Sequence, residues 1–244
     1  MAAIICMIGA SALAWHGLFA WLYRRELSSI GHADYPDSAT SAAGKLLQVI
    51  VLGFGGLWFF TTHARALDMA PGPIWSAILS ATLGKWIVDV AYMLRSRVVD
   101  WYDLFHHALS GVMIAYVLWN QTIAWFLALA VFVAELPGMG YFATKTVVRI
   151  RVEAPATLFA LRCLHFVVAG TIWIFVIPAL TVWYVHESGY DRLTATLCLG
   201  YNVFTVRSAY KLVTRTPRTL RELASELMND KRNPASSRTT STTH

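Results

Sequence analysis

The strongest chemical signal in this 244-residue sequence is a histidine pair with carboxylates one helical turn upstream: Asp100-Trp-Tyr-Asp103-Leu-Phe-His106-His107. On a helix, Asp103 precedes His106 by three residues and His107 by four, so its carboxylate can reach either imidazole. Asp100, Asp103 and His107 follow one stripe of that helix. A carboxylate that holds one ring N–H leaves the other ring nitrogen able to take a proton, which is general-base chemistry. Ser110 and Gly111, next along this face, are small enough to admit a ligand. Read without chemistry, the same segment is a polar, interfacial helix start with histidines bonded to backbone or headgroups. Metal binding fits poorly, because neighbouring residues on a helix point about 100° apart, and no metal is expected.

Three further groups carry ionisable or polar side chains within apolar stretches, where they are costly unless paired or facing a wet cavity. In Gly84-Lys85-Trp86-Ile87-Val88-Asp89, Lys85 and Asp89 are four apart. They either neutralise each other along one helix or leave Asp89 facing the histidines across a cavity. Glu135 is followed by Pro137, Gly138 and Gly140. A proline removes a backbone donor and glycines allow close approach, so a bend beside this carboxylate is expected, around a polar cavity or as a packing kink. The last group joins Arg162 and His165 to Asn202 and Arg207. The two arginines lie near span ends, where they can snorkel, and His165 and Asn202 lie deeper, where bonding across helices is expected.

The elements that must position these groups follow from composition. The chain is 57% hydrophobic and only 14% charged, with a mean hydropathy of +0.51; soluble domains carry about 25% charged residues. A soluble enzyme, a disulfide scaffold and a disordered regulator are therefore disfavoured. Cys6, Cys163 and Cys198 have apolar neighbours and no CxxC or Cys/His ligand spacing, so they read as buried thiols. No phosphate-binding glycine loop, HExxH or GxSxG motif is present. The net charge of +6 is not accompanied by basic-aromatic interleaving, and no nucleic-acid partner is expected.

A bilayer crossing needs about 20 apolar residues per helix. Candidate spans are 3–23, 46–64, 73–94, 98–119, 122–144, 158–184 and 193–210, with a hairpin at Asn120-Gln121 breaking the long uncharged run from Leu104 to Ala134. With that hairpin, fifteen basic residues collect on one side and only Arg65 and Arg192 on the other. Merging 104–134 into one span weakens the split to eleven against six. The positive-inside rule therefore predicts seven spans, an N-terminus outside the cytosol and a cytosolic C-terminus. The chain starts without the basic flank and cleavage site of a signal peptide, so the first span is expected to be retained. Leu220, Leu223, Ala224, Leu227 and Met228 then recur at helical spacing, as suits an interfacial or partner-binding helix. Residues 229–244 are polar and expected to be disordered. The expected organisation is an N-terminal helix and loop (1–39), a membrane domain (40–214) and a cytosolic tail (215–244).

The ordered set Gly84-x-x-x-x-Asp89, Asp103-Leu-Phe-His106-His107, Glu135 with a proline just after it, and Asn202 in the last span resembles the TLC (TRAM, Lag and CLN homology) domain. The likeness runs from about residue 40 to 214, and the double histidine is its most specific element. The ceramide-synthase pattern continues with His-Asp and a second Asp three residues later, where this chain has Ala134-Glu135 and Gly138. The sequence thus resembles the TLC domain-containing members more than the ceramide synthases.

The resemblance implies an all-α polytopic membrane protein in which six of seven helices form a bundle around a lipid-accessible cavity. It implies handling of long-chain acyl lipids and a part in membrane lipid homeostasis, usually in the endoplasmic reticulum. Membrane lipids are the expected partners, and no permanently bound cofactor is expected. A ceramide-synthase-like N-acyltransferase is the alternative. There, His106 or His107, with Asp103, would deprotonate an amine attacking the thioester of acyl-CoA, the co-substrate. The other polar groups (Asp89, Lys85, Glu135, His165, Asn202, Arg162) would meet the lipid. A third class is a transporter or cargo receptor, whose buried polar groups line a pathway.

Overall fold

Each of the seven predicted apolar stretches falls on a helix in the computed structural model, which describes residues 2–29, 39–63, 69–95, 101–149, 155–187 and 192–232. The helices are α1 (Ala2–Ser29), α2 (Ala39–Thr62), α3 (Pro73–Arg95), α4 (Trp101–Asn120), α5 (Ala124–Arg149), α6 (Pro155–Thr171), α7 (Ile177–Glu187) and α8 (Arg192–Arg232). No strand occurs among the described residues. α6 and α7 form one rod, joined by a π-helical stretch, Ile172–Val176. Pro178 follows it closely and has no N–H for the helix ladder, so the widened turn sits where α-helical bonding is already interrupted.

Among the described residues, five segments are long and apolar enough to cross a membrane: Ala2–Arg25, Thr40–Thr62, Pro73–Arg95, Ala124–Val148 and Ala156–Glu187. The outer surface is correspondingly greasy: Leu13, Val203 and Val182 are each at least 70% exposed. In water such a surface would aggregate, whereas lipid tails solvate it. These features fit a multi-pass membrane protein.

The hairpin expected at Asn120-Gln121 separates α4 from α5. Gln121 and Ile123 have φ of 55° and 49°, a costly region for a β-branched residue. Ile123 and Ala124 are buried, and the Ala124 N–H donates to the Met69 carbonyl at 2.9 Å. The Trp125 indole N–H donates to the Phe60 carbonyl at 3.1 Å. Together these contacts hold the turn against the C-terminal end of α2 and the segment after it. α8 has no break after its apolar part; the amphipathic segment continues the same helix, through Pro217, to Arg232. Residues 233–244, most of the stretch expected to be disordered, lie outside the described residues.

Two glycines set the closest helix approaches. A Cβ on Gly56 of α2 would lie 2.6 Å from the Ala128 carbonyl of α5. One on Gly84 of α3 would lie 2.7 Å from both the Ala12 nitrogen and the Ile8 oxygen of α1. The Ser11 hydroxyl donates to the Ala81 carbonyl at 2.9 Å, fixing the same α1–α3 contact. About two helical turns further along α1, Phe19 is buried, with its ring against Gly44 of α2. The Lys85 ammonium lies 6.0 Å from the centre of that ring, within cation–π range. The predicted extra N-terminal helix is thus seated on the polar face of α3.

Candidate functional site

Helix geometry sends the two histidines in different directions. His106 faces a cavity also lined by Ser110, Met113 and Ile114 of α4, by Trp86 of α3 and by Leu52 of α2. α5 contributes Phe126, Leu127, Ala130, Val131, Ala134 and Glu135; α7 contributes Ile177, Leu180 and Thr181; and α8 contributes Leu197, Cys198 and Tyr201. The empty space, including its open mouth, is about 800 Å³. Six helical rods contribute to this wall, and none of its residues comes from α1.

The polar groups are unevenly placed. α4 and α5 form a hairpin, so residues far from its turn lie at one level: His106 with Ser110 on α4 and Glu135 on α5. Tyr201 joins them from α8, its ring 6.2 Å from that of His106. Phe204 stacks on His106 with ring centres 5.0 Å apart. Nearer the turn the lining is apolar, with Met113, Ile114, Phe126 and Leu127. The cavity is thus mainly apolar, with its ionisable groups towards one end and Thr181 of α7 as a further polar group in its wall, the general form of a small-molecule site.

His107 points instead towards α3. Its Nε2 lies 4.0 Å from the Asp89 carboxylate, which also takes a hydrogen bond from the Lys85 ammonium. Asp89 therefore pairs with Lys85 along α3, as the first alternative had it, and meets His107 across a packed helix gap rather than facing both histidines across the cavity. Lys85 and Asp89 are almost fully inaccessible and lie beside the cavity rather than in its wall. The two imidazoles still touch edge to face, with ring centres 5.7 Å apart, and the Trp86 ring packs against both, 6.1 Å from His106 and 5.3 Å from His107. Lys85 also interacts electrostatically with Glu135, linking this buried ion pair to the polar end of the cavity.

The remaining predicted residues lie outside the cavity wall. The Nδ1–H of His165 donates to the Pro137 carbonyl at 3.0 Å; a carbonyl only accepts, so that nitrogen carries the proton. This bond ties α6 to the proline-bearing part of α5. The Asn202 amide donates to the Thr181 hydroxyl at 2.6 Å and to the Cys198 carbonyl at 2.8 Å, so it bridges α8 and α7 behind the cavity wall. The Nε of Arg162 is buried without a hydrogen-bond partner among the described residues, so its guanidinium is not wholly snorkelled. Asp103 lies in α4, but its side chain, like all of Asp100, falls outside the described residues. No group of three or more His, Cys, Asp or Glu suited to a metal occurs among the described residues.

The cavity wall also contains residues the sequence did not single out. Trp86 and Tyr201 belong to types expected as belt or packing residues, yet each is next to a residue picked for its polarity, Lys85 and Asn202. Thr181 became legible only once its bond to Asn202 brought α7 and α8 together. Removing that bond by Asn202→Ala should cost about 0.6–1.7 kcal/mol, the span measured for interhelical hydrogen bonds in membranes. Thermal unfolding of the detergent-solubilised protein reads this. No loss of stability would mean that the bridge does not hold α7 and α8 together.

No family model, curated protein or solved structure matches this chain. Its function has to be argued from the site itself.

Proposed function

We propose that this chain is a TLC-type membrane protein that takes the acyl chain of a lipid into this cavity and contributes to the lipid homeostasis of the endoplasmic reticulum membrane. One observation carries the proposal: a mainly apolar cavity whose ionisable groups, His106 and Glu135, lie with Ser110 and Tyr201 towards one end, the Thr181 hydroxyl further along being taken up by Asn202. Such a shape accepts a molecule with one polar end and one long apolar end. Seven crossings belong to the same proposal. Trp101 and Trp119 are 72% and 68% exposed at the two ends of α4. Their separation is about 27 Å along the axis, close to the roughly 30 Å of hydrocarbon that interfacial tryptophans bracket. Cytosolic placement of the C-terminus follows from the fifteen-to-two split of basic residues.

A photoreactive diazirine-bearing acyl lipid, added to the protein in nanodiscs, tests the proposal. Crosslinks are expected on Leu109, Met113 and Leu127, and Ala130→Trp, which fills the cavity, should reduce them severalfold. Labelling confined to outward residues such as Leu13 and Val203 would sink the idea. The histidines should separate in the same assay. His106→Ala removes a group from the polar end and should weaken lipid binding about five- to tenfold, the worth of one hydrogen bond. His107→Ala should instead lower thermal stability, because it disturbs the surroundings of the buried ion pair. Equal effects of the two variants on binding would contradict this division.

Acyl transfer is the second reading, favoured by the position of His106 at the cavity beside Ser110, whose Oγ is 3.5 Å from the His106 Nδ1. There His106 would take the proton of an amine attacking acyl-CoA. Incubation with labelled acyl-CoA and sphingoid or other long-chain amines tests this. Product that survives His106→Ala would remove the imidazole from the mechanism.

A further inference from the structure

The cavity is closed at its apolar end, and the closure has a definite position. Phe126 lines it and stacks on Tyr184 of α7, with ring centres 4.0 Å apart. Trp183 packs against the same ring at 6.0 Å. Beyond Ile114 on α4, Val117 and Leu118 are almost fully buried, so the core continues without a break from this floor to the α4–α5 turn. The opposite, polar end is set by His106 and Glu135.

The depth can be read twice. From His106 to Ile114 is eight residues of α4, about 12 Å of helix. From Phe126 to Glu135 is nine residues of α5, about 13.5 Å. An extended hydrocarbon with about 1.5 Å bonds advances about 1.3 Å per carbon, so either wall accommodates roughly ten carbons below the polar groups. We infer that the Phe126–Tyr184 floor measures the chain, and that the cavity selects acyl chains of roughly ten to twelve carbons. This rests on the acyl-lipid reading above but narrows it, since that length is shorter than the long chains the family resemblance implies. A longer chain has to stop short of seating its polar end or displace the floor. Phe126 is thereby a specificity-determining residue, and Ala130, midway along α5, marks the bore.

Cys198 lies in the cavity wall and serves as the reporter. The full chain carrying Cys6→Ser and Cys163→Ser is reconstituted in nanodiscs and treated with N-ethylmaleimide. A series of 1-alkanols from octanol to octadecanol is added at matched mole fraction in the bilayer. An occupant slows Cys198 alkylation about tenfold at roughly ten times its Kd, since protection scales as one plus ligand over Kd. Protection should peak at ten to twelve carbons. Phe126→Ala, and the milder Phe126→Leu if the first does not fold, should move the peak two or more carbons longer. Ala130→Trp should remove protection at every length. Protection that is independent of length, or a peak unmoved by both Phe126 variants while Ala130→Trp still abolishes it, would overturn the measuring floor alone. Absence of protection by any alkanol, or protection undiminished in Ala130→Trp, would overturn the cavity reading itself.

Discussion

Asp89→Ala should be among the most destabilising single substitutions in this protein, lowering stability by about 3–5 kcal/mol. The reason is not the strength of the ion pair but what its loss leaves behind. Lys85 is 1% exposed and lies beneath the Phe19 ring, so its ammonium would lose its hydrogen-bonded carboxylate in a low-dielectric interior, leaving Glu135 as an opposite charge on another helix. The Asp89 side chain is equally inaccessible and has His107 on its other flank. Asp89→Asn keeps the volume and an acceptor oxygen but not the charge, and should lie between the parent and Asp89→Ala. Lys85→Met/Asp89→Leu removes both charges and should recover most of the loss, since an apolar replacement of a buried pair is often neutral. Unfolding curves in one detergent for the parent, Lys85→Met, Asp89→Leu and the double variant give the double-mutant cycle, with Asp89→Ala and Asp89→Asn measured beside them. A double variant as unstable as Asp89→Ala would show that the packing of Asp89, rather than the orphaned charge, sets the cost.

Gly84→Val should detach α1. Even a single Cβ at this position would lie 2.7 Å from two backbone atoms of α1, and backbone cannot rotate aside as a side chain can. Overpacking typically costs about 1–3 kcal/mol, and here the two helices have to part. Phe19 would then leave its seat against Gly44, and Lys85 would lose its cover. A Ser11→Cys/Ala81→Cys pair, placed where the Ser11 hydroxyl now meets the Ala81 carbonyl, should crosslink in the parent and far less in Gly84→Val. Gly111→Ala is the matched control: its added Cβ would meet only Leu83 and Trp86 side-chain atoms, at 3.7 and 3.8 Å, and should be nearly neutral. Undiminished crosslinking in Gly84→Val would mean that α1 tolerates the wider spacing and that the notch is not its docking site.

The helices and their breaks were largely legible in the sequence because apolar length and charge placement are additive, local signals. The turn at Asn120-Gln121 is an example: charge symmetry asked for it, and the chain provides it with two residues at positive φ. The neighbourhood of the cavity was legible only in part. Lys85, Asp89 and His107 meet beside the cavity and Glu135 lies in its wall, but no spacing rule could show that the Trp86 ring would pack against both His106 and His107. The same 100° step that argued against metal chelation also divides the pair, placing His106 at a cavity and His107 at a salt bridge. Contacts between distant helices were beyond reach for a plainer reason. The seat of Phe19 on Gly44 and the bond from Asn202 to Thr181 depend on which helices become neighbours, and an apolar stripe facing lipid looks the same as one facing protein. His165 was correctly expected to bond across helices, though its partner, the Pro137 carbonyl, could not be named from residue types.

The pairing of Lys85 with Asp89 inside one helix also bears on how the protein is made. Transmembrane segments leave the insertion machinery in order, so α3 meets the bilayer before α4 and His107 have been synthesised. A lone ammonium or carboxylate near mid-bilayer would raise the barrier to that step by about 2.5–3.5 kcal/mol on insertion scales. Because its partner is four residues away on the same helix, the lysine can enter already neutralised. The first helix, which emerged earlier, is then on hand to cover it with Phe19. The buried ion pair and its aromatic cover are thus supplied by the first three helices alone, before the cavity beside them exists.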